Sequence, residues 1–260
     1  MIPKIIYQTY SDINEVNEDI LKCSRDQILK LNPKYKYIFF NDKMIESYIK
    51  NNWGIQMFLI YNSIDKSYGP ARADLFRYLI LYDKGGIYID IKSSCNQSFD
   101  NFIHNNDEYI LTNWGDYWGF KPWAKELNFK EGEFINWFIA SKPNHIFLKN
   151  VIYNIIKKIL YINNNNIELY GKKDVLFLTG PVIYSQTILY ILKNKQVKNI
   201  KIYKNYKNIN LIYTCVNHIN YFKNHYSKNN KLIINKNKYL KKINIENISI
   251  FYNLKNKFYY

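Results

Sequence analysis

The stretch from Gly69 to Lys92, GPARADLFRYLILYDKGGIYIDIK, constrains the fold more than any other part of this 260-residue chain. Proline is tolerated in a first helical turn because that position makes no intrahelical N–H bond, and glycine ends helices, so Pro70 and Gly85-Gly86 bracket a helix. The apolar run Ile87-Tyr88-Ile89 follows at once and ends on Asp90. A carboxylate is thereby placed at the carboxyl end of a buried strand, where open α/β sheets bind ligands. Asp74 and Arg77 are three apart and share a helix face, while Leu75, Tyr78, Leu79 and Tyr82 form an apolar stripe. An acid and a guanidinium point together toward one site, although an ordinary helix salt bridge has the same spacing.

The remaining chain repeats this alternation. Lys4 to Tyr7 predicts a first core strand with Gln8-Thr9-Tyr10 as its carboxyl-end loop, residues 14–31 an amphipathic helix, and Tyr35 to Phe40 a second strand. Met44 to Lys50 lead to Trp53-Gly54 and a mainly apolar helix around Ile55 to Tyr61, and Asp107 to Asn113 read as a strand. Further on, Phe134 to Ala140 predicts a helix, Val151 to Ile162 an amphipathic helix with Lys157-Lys158 on its wet side, and Val175 to Leu178 a strand running into Thr179-Gly180-Pro181. Ile200 to Tyr203 and Leu211 to Tyr213 suit short strands, and residues 229–260 a peripheral hairpin or tail. The alternation argues a single α/β domain with a mainly parallel central sheet and helices on both faces, over residues 1–230, followed by a basic Asn/Lys-rich extension, 231–260. Four of the five tryptophans (Trp114, Trp118, Trp123, Trp137) cluster with Gly115, Gly119 and Gly132, as either a stacking platform with a lid or a packed satellite core.

The net charge of +16 is uneven: residues 141–260 hold 21 lysines against Glu168, Asp174 and Glu246, a balance of +18 that leaves about −2 for the rest. Lysine interleaved with Asn, Ile and Tyr is compatible with an anionic membrane surface or a nucleic acid, and equally with compositional drift. The drift makes arginine informative. Only Arg25, Arg72 and Arg77 occur among 37 basic residues, and the last two flank Asp74, where a planar fork offers bidentate bonding that an ammonium lacks. Cys23, Cys95 and Cys215 are far apart without a C-x-x-C pair, which suggests neither a disulfide framework nor a zinc site and makes a reducing compartment the default. No apolar run approaches the roughly 18 to 20 residues of a membrane span, and no signal peptide stands out, so the expectation is a cytoplasmic protein or one peripheral at a membrane.

The blocks Asp74-Leu-Phe-Arg-Tyr78, Gly85-Gly-Ile-Tyr-Ile-Asp90, Ile2-Pro-Lys-Ile-Ile-Tyr-Gln-Thr-Tyr10, Phe134-Ile-Asn-Trp-Phe-Ile-Ala-Ser-Lys-Pro-Asn-His145 and Thr179-Gly-Pro181 together resemble glycosyltransferase family 32. These are the "DXD sugar-binding" relatives of the initiating α-1,6-mannosyltransferase, and the large glucosylating toxins are more distantly similar. The resemblance implies a GT-A type fold and retaining transfer of a hexose from a nucleoside-diphosphate sugar, GDP-mannose or a UDP-sugar, to a glycan, polysaccharide or glycoprotein. It implies that Asp74 and Arg77, flanked by Arg72, bind donor-sugar hydroxyls with Asn136 beside the sugar. Gln8 and Tyr10 would then lie by the base and Tyr88 under the donor. Asp90 would hold the ribose and, with His225 (His218 being the weaker choice), a divalent cation, Mn²⁺ or Mg²⁺. The chain departs from the motif at Lys92, which replaces the second acid; its ammonium then compensates the diphosphate where the family has a metal. A sugar-nucleotide-binding pseudoenzyme and a basic membrane-surface or, less fittingly, nucleic-acid binder are the competing classes; peripheral membrane association through the basic half is compatible with all of them.

Overall fold

The computed structural model describes residues 1–16, 18–115, 133–215 and 229–248. Its centre is a six-stranded sheet formed by β1 (Ile5–Thr9), β2 (Lys36–Phe40), β3 (Gly86–Ile89), β5 (Tyr109–Thr112), β6 (Phe138–Ser141) and β7 (Ile200–Tyr203), in the order β2-β1-β3-β6-β5-β7. The pairs β1/β2, β1/β3 and β5/β7 are parallel, and β6 runs antiparallel to both β3 and β5. Only the inserted β6 is therefore reversed. A separate antiparallel pair joins β4 (Ser94–Cys95) to β8 (Leu211–Ile212).

Alternation along the strands separates two cores. Tyr7, Tyr88, Tyr109, Leu111 and Ile139 face one side, where they pack with α3 (Asp42–Ser63), α4 (Gly69–Lys84), α5 (Ile146–Asn164), α6 (Gly171–Leu178) and α7 (Pro181–Asn194). Ile6, Ile87, Ile89, Ile110, Phe138 and Ala140 face the other, covered by Ile28, Phe99, Phe102, Trp114 and Trp137. The second layer is thinner: it comprises the short α1 (Glu18–Leu21) and α2 (Gln27–Leu31), 3₁₀ turns and loops. The expected helices on both faces are present, with the long ones all on the tyrosine side.

The helix and strand expected over 69–90 are there, with Pro70 in the first turn and Gly85 as the cap. Because α4 lies between the sheet and other helices, Ala71 to Tyr82 are buried all round except at Ala73. Three other expectations are corrected. The helix over 14–31 is interrupted by a π-helical stretch, Lys22–Asp26. Phe134 to Ala140 lead into and form strand β6, because a short run apolar on every side suits a strand buried on both faces as well as a helix. Val175 to Leu178 end the helix α6: Asp174 accepts the Tyr170 N–H at 2.8 Å at its start, and Val175 and Leu178 fall on one buried face. Residues 171–194 together are apolar and long enough to cross a membrane by composition, but they are broken at Thr179-Gly180 between α6 and α7 and are mostly buried in the core. Within 229–248, Ile233, Ile234, Leu240 and Ile248 pack into the main core, and Ile234 bridges to Ile64.

Cysteine pairing also departs from expectation, since Cys23 and Cys215 form a disulfide across 192 residues while Cys95 is a buried free thiol. No spacing rule reveals a bond between positions so remote in sequence.

Gly86 has φ +107, and a Cβ there would sit 2.7 Å from the Ile5 carbonyl oxygen. Gly54, inside the kink of α3, has φ +80, and a Cβ there would meet nothing within 4 Å. Gly54→Ala should thus cost only the backbone strain, about 1–3 kcal/mol, whereas Gly86→Ala should cost distinctly more because β1 and β3 must separate. Urea melts of the two variants check this, and equal losses would show that strain alone governs both.

Candidate active site

The site is built where α4 begins and β3 ends. The Arg77 guanidinium is 4% exposed and lies 3.3 Å from the Asp74 carboxylate and 3.0 Å from that of Asp90. It also donates to the Asn136 carbonyl at 2.6 Å and to that of Ala73 at 3.4 Å, and stacks 4.4 Å above the Tyr88 ring. Tyr88 is steadied by its hydroxyl's 2.9 Å contact with Thr9. A planar, weakly hydrated fork is suited to such a buried, many-sided position.

Asp74 accepts from the Asn136 amide at 3.0 Å and from the Thr179 hydroxyl at 3.2 Å. Asn136 donates in addition to Tyr78, which in turn donates to the Thr179 carbonyl at 3.0 Å and stacks on Tyr184. Asp74 is thus enclosed, while Asp90 is the more open carboxylate, with 23% of its side chain exposed. Burial, offset in part by Arg77 and reinforced by the charge of Asp90, pushes the Asp74 carboxyl up to about 7. Burial disfavours the Arg77 charge, yet Asp90, Tyr88 and Asp74 outweigh it and hold the guanidinium protonated.

The backbone of the Asp90 turn is fixed from several sides. Its N–H donates to the Trp137 carbonyl at 2.8 Å, and its carbonyl accepts from Ser93 N–H at 2.9 Å and from the Gln8 amide at 3.3 Å. Gln8 is fully buried, donating also to Ser24 and accepting from the Tyr37 hydroxyl at 3.0 Å, so it acts on the turn rather than on a ligand. Tyr10 is half-buried against Val16, Ile20 and Ile91. Lys92 is held by Tyr213: its ammonium is 3.2 Å from the Tyr213 hydroxyl and 4.6 Å from that ring's centre.

Arg72 does not join the cluster. Helical positions two residues apart point about 200° away from one another, so Arg72 faces away from Asp74, pairs with Glu46 at 2.8 Å, donates to the Ile64 carbonyl and covers the Tyr61 ring. Its arginine identity serves packing between α3 and α4. Trp114 and Trp137, nearly buried, belong to the packed second core with Tyr206 and Tyr213. Trp118, Trp123, His218 and His225 lie outside the described residues. Sequence reasoning passed over Thr179, Tyr78 and Ser24 as site residues; the Thr179-Gly-Pro block was noticed, but its contact with Asp74 spans 105 residues. Among the described residues no group of three or more His, Cys, Asp or Glu side chains is placed to hold a metal ion. Asp90, tied to Arg77, does not by itself make a cation site.

The fold, a largely parallel sheet with an acid–guanidinium cluster at the carboxyl end of a central strand, agrees with that of the glycosyltransferase PaToxG (TM-score 0.54, 18% identity, 74% of this chain and 70% of that one). Over residues 18–109 the chain matches the glycosyltransferase sugar-binding region containing the DXD motif. It is similar to a mannosyl phosphorylinositol ceramide synthase of Saccharomyces cerevisiae, 39% identical over 102 residues that cover 38% of this chain and 25% of that protein. It is also similar to a glycosyltransferase of Acanthamoeba polyphaga mimivirus, 27% identical over 85% of this chain and 83% of the relative. The chain thus spans about a quarter of the length of the yeast relative but most of the viral one.

The raised Asp74 has a consequence for stability. An unfolded Asp releases its proton near 3.8, the folded site near 7, so the stability gained from the protonated form is fully present below about pH 4 and lost as pH rises to about 7. Asp74→Asn cannot ionise. Its stability relative to the parent chain should therefore rise between pH 4 and 7 in urea melts, and a pH-independent difference would show that Asp74 titrates normally.

Proposed function

We propose that the protein is a retaining hexosyltransferase using a nucleoside-diphosphate sugar, GDP-mannose or a UDP-sugar, and a glycan or polysaccharide acceptor. The observation that supports this best is the single Arg77 guanidinium shared by Asp74 and Asp90 at the carboxyl end of β3, inside the block that resembles DXD sugar-binding regions. Retention and the choice of donors rest on the family resemblance. In this reading Asp74, Arg77 and Asn136 grip sugar hydroxyls and Asp90 the ribose, which orients C1. The C1–oxygen bond to the diphosphate breaks, a C1–oxygen bond to an acceptor hydroxyl forms on the same face, and the hydroxyl proton passes to the departing diphosphate oxygen. The diphosphate departs with negative charge that the Lys92 ammonium compensates. Any divalent cation would enter with the donor, because the described protein residues do not assemble a site for one.

A donor screen by thermal shift identifies the nucleotide, since a ligand at 100 times its Kd stabilises by roughly 2.7 kcal/mol. Asp74→Asn and Asp90→Asn should then lower donor turnover by about 10² or more while the fold survives, the scale of one lost electrostatic contact. Turnover like that of the parent chain in both variants would remove the site from the reaction, and donor binding without any turnover would favour a sugar-nucleotide-binding protein.

We also assign the basic half a peripheral membrane surface. Exposed Tyr161, Tyr170 and Tyr239 stand among exposed Lys157, Lys172, Lys173, Lys238, Lys241 and Lys242. The segments are knitted together by Asn237 N–H to Asn163 at 2.9 Å and Ile233 N–H to the Leu169 carbonyl at 2.9 Å. Gly171 N–H bonds to Tyr68 at the amino end of α4, so this surface lies toward the end of the sheet that carries Asp90. Tyrosine and lysine together suit an anionic lipid interface. Changing Lys238, Lys241 and Lys242 to Glu should abolish sedimentation with phosphatidylserine vesicles at low salt and leave donor hydrolysis unchanged; unaltered sedimentation would return the lysines to compositional drift.

A further inference from the structure

We infer that Tyr213 and the Cys23–Cys215 disulfide are positioning residues for Lys92, given the diphosphate-compensating role proposed for that lysine. Handling of the donor diphosphate then depends on the oxidation state of two cysteines outside the acid–guanidinium cluster.

The turn that follows Asp90 is clamped between two segments remote in sequence. On one side is the strap 211–215. It pairs with the chain just beyond the turn through Ser94 and Ile212 and through Cys95 and Leu211. The Tyr213 carbonyl accepts from the Ser93 hydroxyl at 2.6 Å, and Cys215 N–H donates to the Lys92 carbonyl at 3.0 Å. Lys92 is thus held by the strap at both its backbone and its ammonium, the latter 3.2 Å from the Tyr213 hydroxyl. The Tyr213 ring is fixed edge-on to Trp114 at 4.7 Å and tilted against Trp137 at 5.4 Å.

On the other side is the π-helical stretch Lys22–Asp26. Its Ser24 hydroxyl donates to the Ser93 carbonyl at 2.6 Å and accepts from Gln8, whose amide also reaches the Asp90 carbonyl at 3.3 Å. Cys23, the neighbour of Ser24, is bonded to Cys215 with the two Cα atoms 6.1 Å apart. The disulfide therefore closes a ring around residues 90–93: Cys23 and Ser24 on one flank, Tyr213 and Cys215 on the other. A lysine side chain has four free torsions and a strongly hydrated head, so without such a brace its ammonium spreads through solvent. Bracing it removes an ordering step otherwise required on each donor encounter.

The bond opens by exchange with a dithiol: the dithiol's two sulfurs become a disulfide, and Cys23 and Cys215 take up the two electrons and two protons as thiols. Opening releases the strap from the π-helical flank, leaving Tyr213 less firmly placed, while Ser93, Ser24 and Gln8 keep the Asp90 turn in place. The expected effect is on Lys92 rather than on Asp74 or Arg77.

The experiment compares the oxidised chain, the chain reduced with dithiothreitol, and Cys23→Ser, each in the presence and absence of Lys92→Ala, with Cys95→Ser as the control. Peptide mapping with alkylation first confirms the pairing. The readouts are kcat and KM for donor hydrolysis and, independently of turnover, calorimetric affinity for UDP and GDP, all at a temperature where circular dichroism shows every form folded. Reduction and Cys23→Ser should each lower affinity for the preferred nucleoside diphosphate, and kcat/KM, roughly tenfold, the scale of one charged hydrogen bond. Lys92→Ala should do the same, and reduction should then add nothing. Cys95→Ser should behave like the parent chain. Free Cys23 and Cys215 in the oxidised chain, affinity unchanged on reduction, or an equal loss with and without Lys92 would overturn the inference, the last because the bond would then support the fold alone. Nucleotide affinity that responds as expected while no donor is turned over would instead overturn the transferase reading and leave the positioning role standing.

Discussion

The buried Arg77 guanidinium is the interaction on which the rest of the site depends. A buried charge with a missing partner costs several kcal/mol, and one with partners on every side becomes a fixed joint. Here the partners come from three places in the chain: Asp74 and Ala73 on α4, Asp90 and Tyr88 at the end of β3, and Asn136 before β6. Burial is what chiefly raises Asp74, and removing the fork would take away the charge that offsets it and leave Asp74 facing Asp90. Helix, central strand and the one reversed strand are thus held in a single arrangement by one side chain.

The sheet is chemically two-sided, and the site belongs to the side with hydroxyls. Tyr7, Tyr88 and Tyr109 look toward the long helices, whereas Ile6, Ile87, Ile89 and Ile110 look the other way. Each buried tyrosine oxygen near the cluster has a fixed partner: Tyr88 with Thr9, Tyr78 with Thr179 and Asn136, Tyr109 with Tyr184. Polar ends inside an otherwise apolar layer specify one packing because each alternative strands a hydroxyl. The isoleucine side carries polar ends too, Gln8 with Ser24 and Tyr37 and Tyr35 with Asp100, and is covered by shorter pieces.

What could be read in advance was what is encoded locally. Pro70, Gly85-Gly86 and the Ile87–Ile89 run each mark a boundary within a few residues, and the i,i+3 relation of Asp74 and Arg77 needs no tertiary knowledge. Asn136 was legible as a residue though not as a strand entry, because Phe134 to Ala140 is apolar in every direction and only the neighbours β3 and β5 decide its form. Arg72 shows the opposite failure: a shared rarity with Arg77 suggested a shared task, while helical phase puts it against Glu46 and Tyr61. Thr179, the Cys23–Cys215 bond and the grip of Tyr213 on Lys92 join positions about a hundred residues or more apart, for which one sequence carries no signal.

The close approach of Gly86 to the Ile5 carbonyl reaches further than the local backbone. A strand that slides by one residue turns every side chain to the opposite face, which here would send Tyr88 into the isoleucine core and Asp90 away from Arg77. Only a residue without a Cβ fits beside Ile5, and Gly86 is preceded by the helix-capping Gly85, whose own Cβ position is filled by Pro143 and Pro3. A shift one way brings Ile87 to that spot, where its Cβ would clash, and a shift the other way brings Lys84 to the place of Gly85, where a Cβ would meet Pro143 at 2.6 Å. The alignment of the carboxylate at one end of the strand is therefore decided by a missing methyl group at the other, a molecular index pin that selects a single pairing during folding.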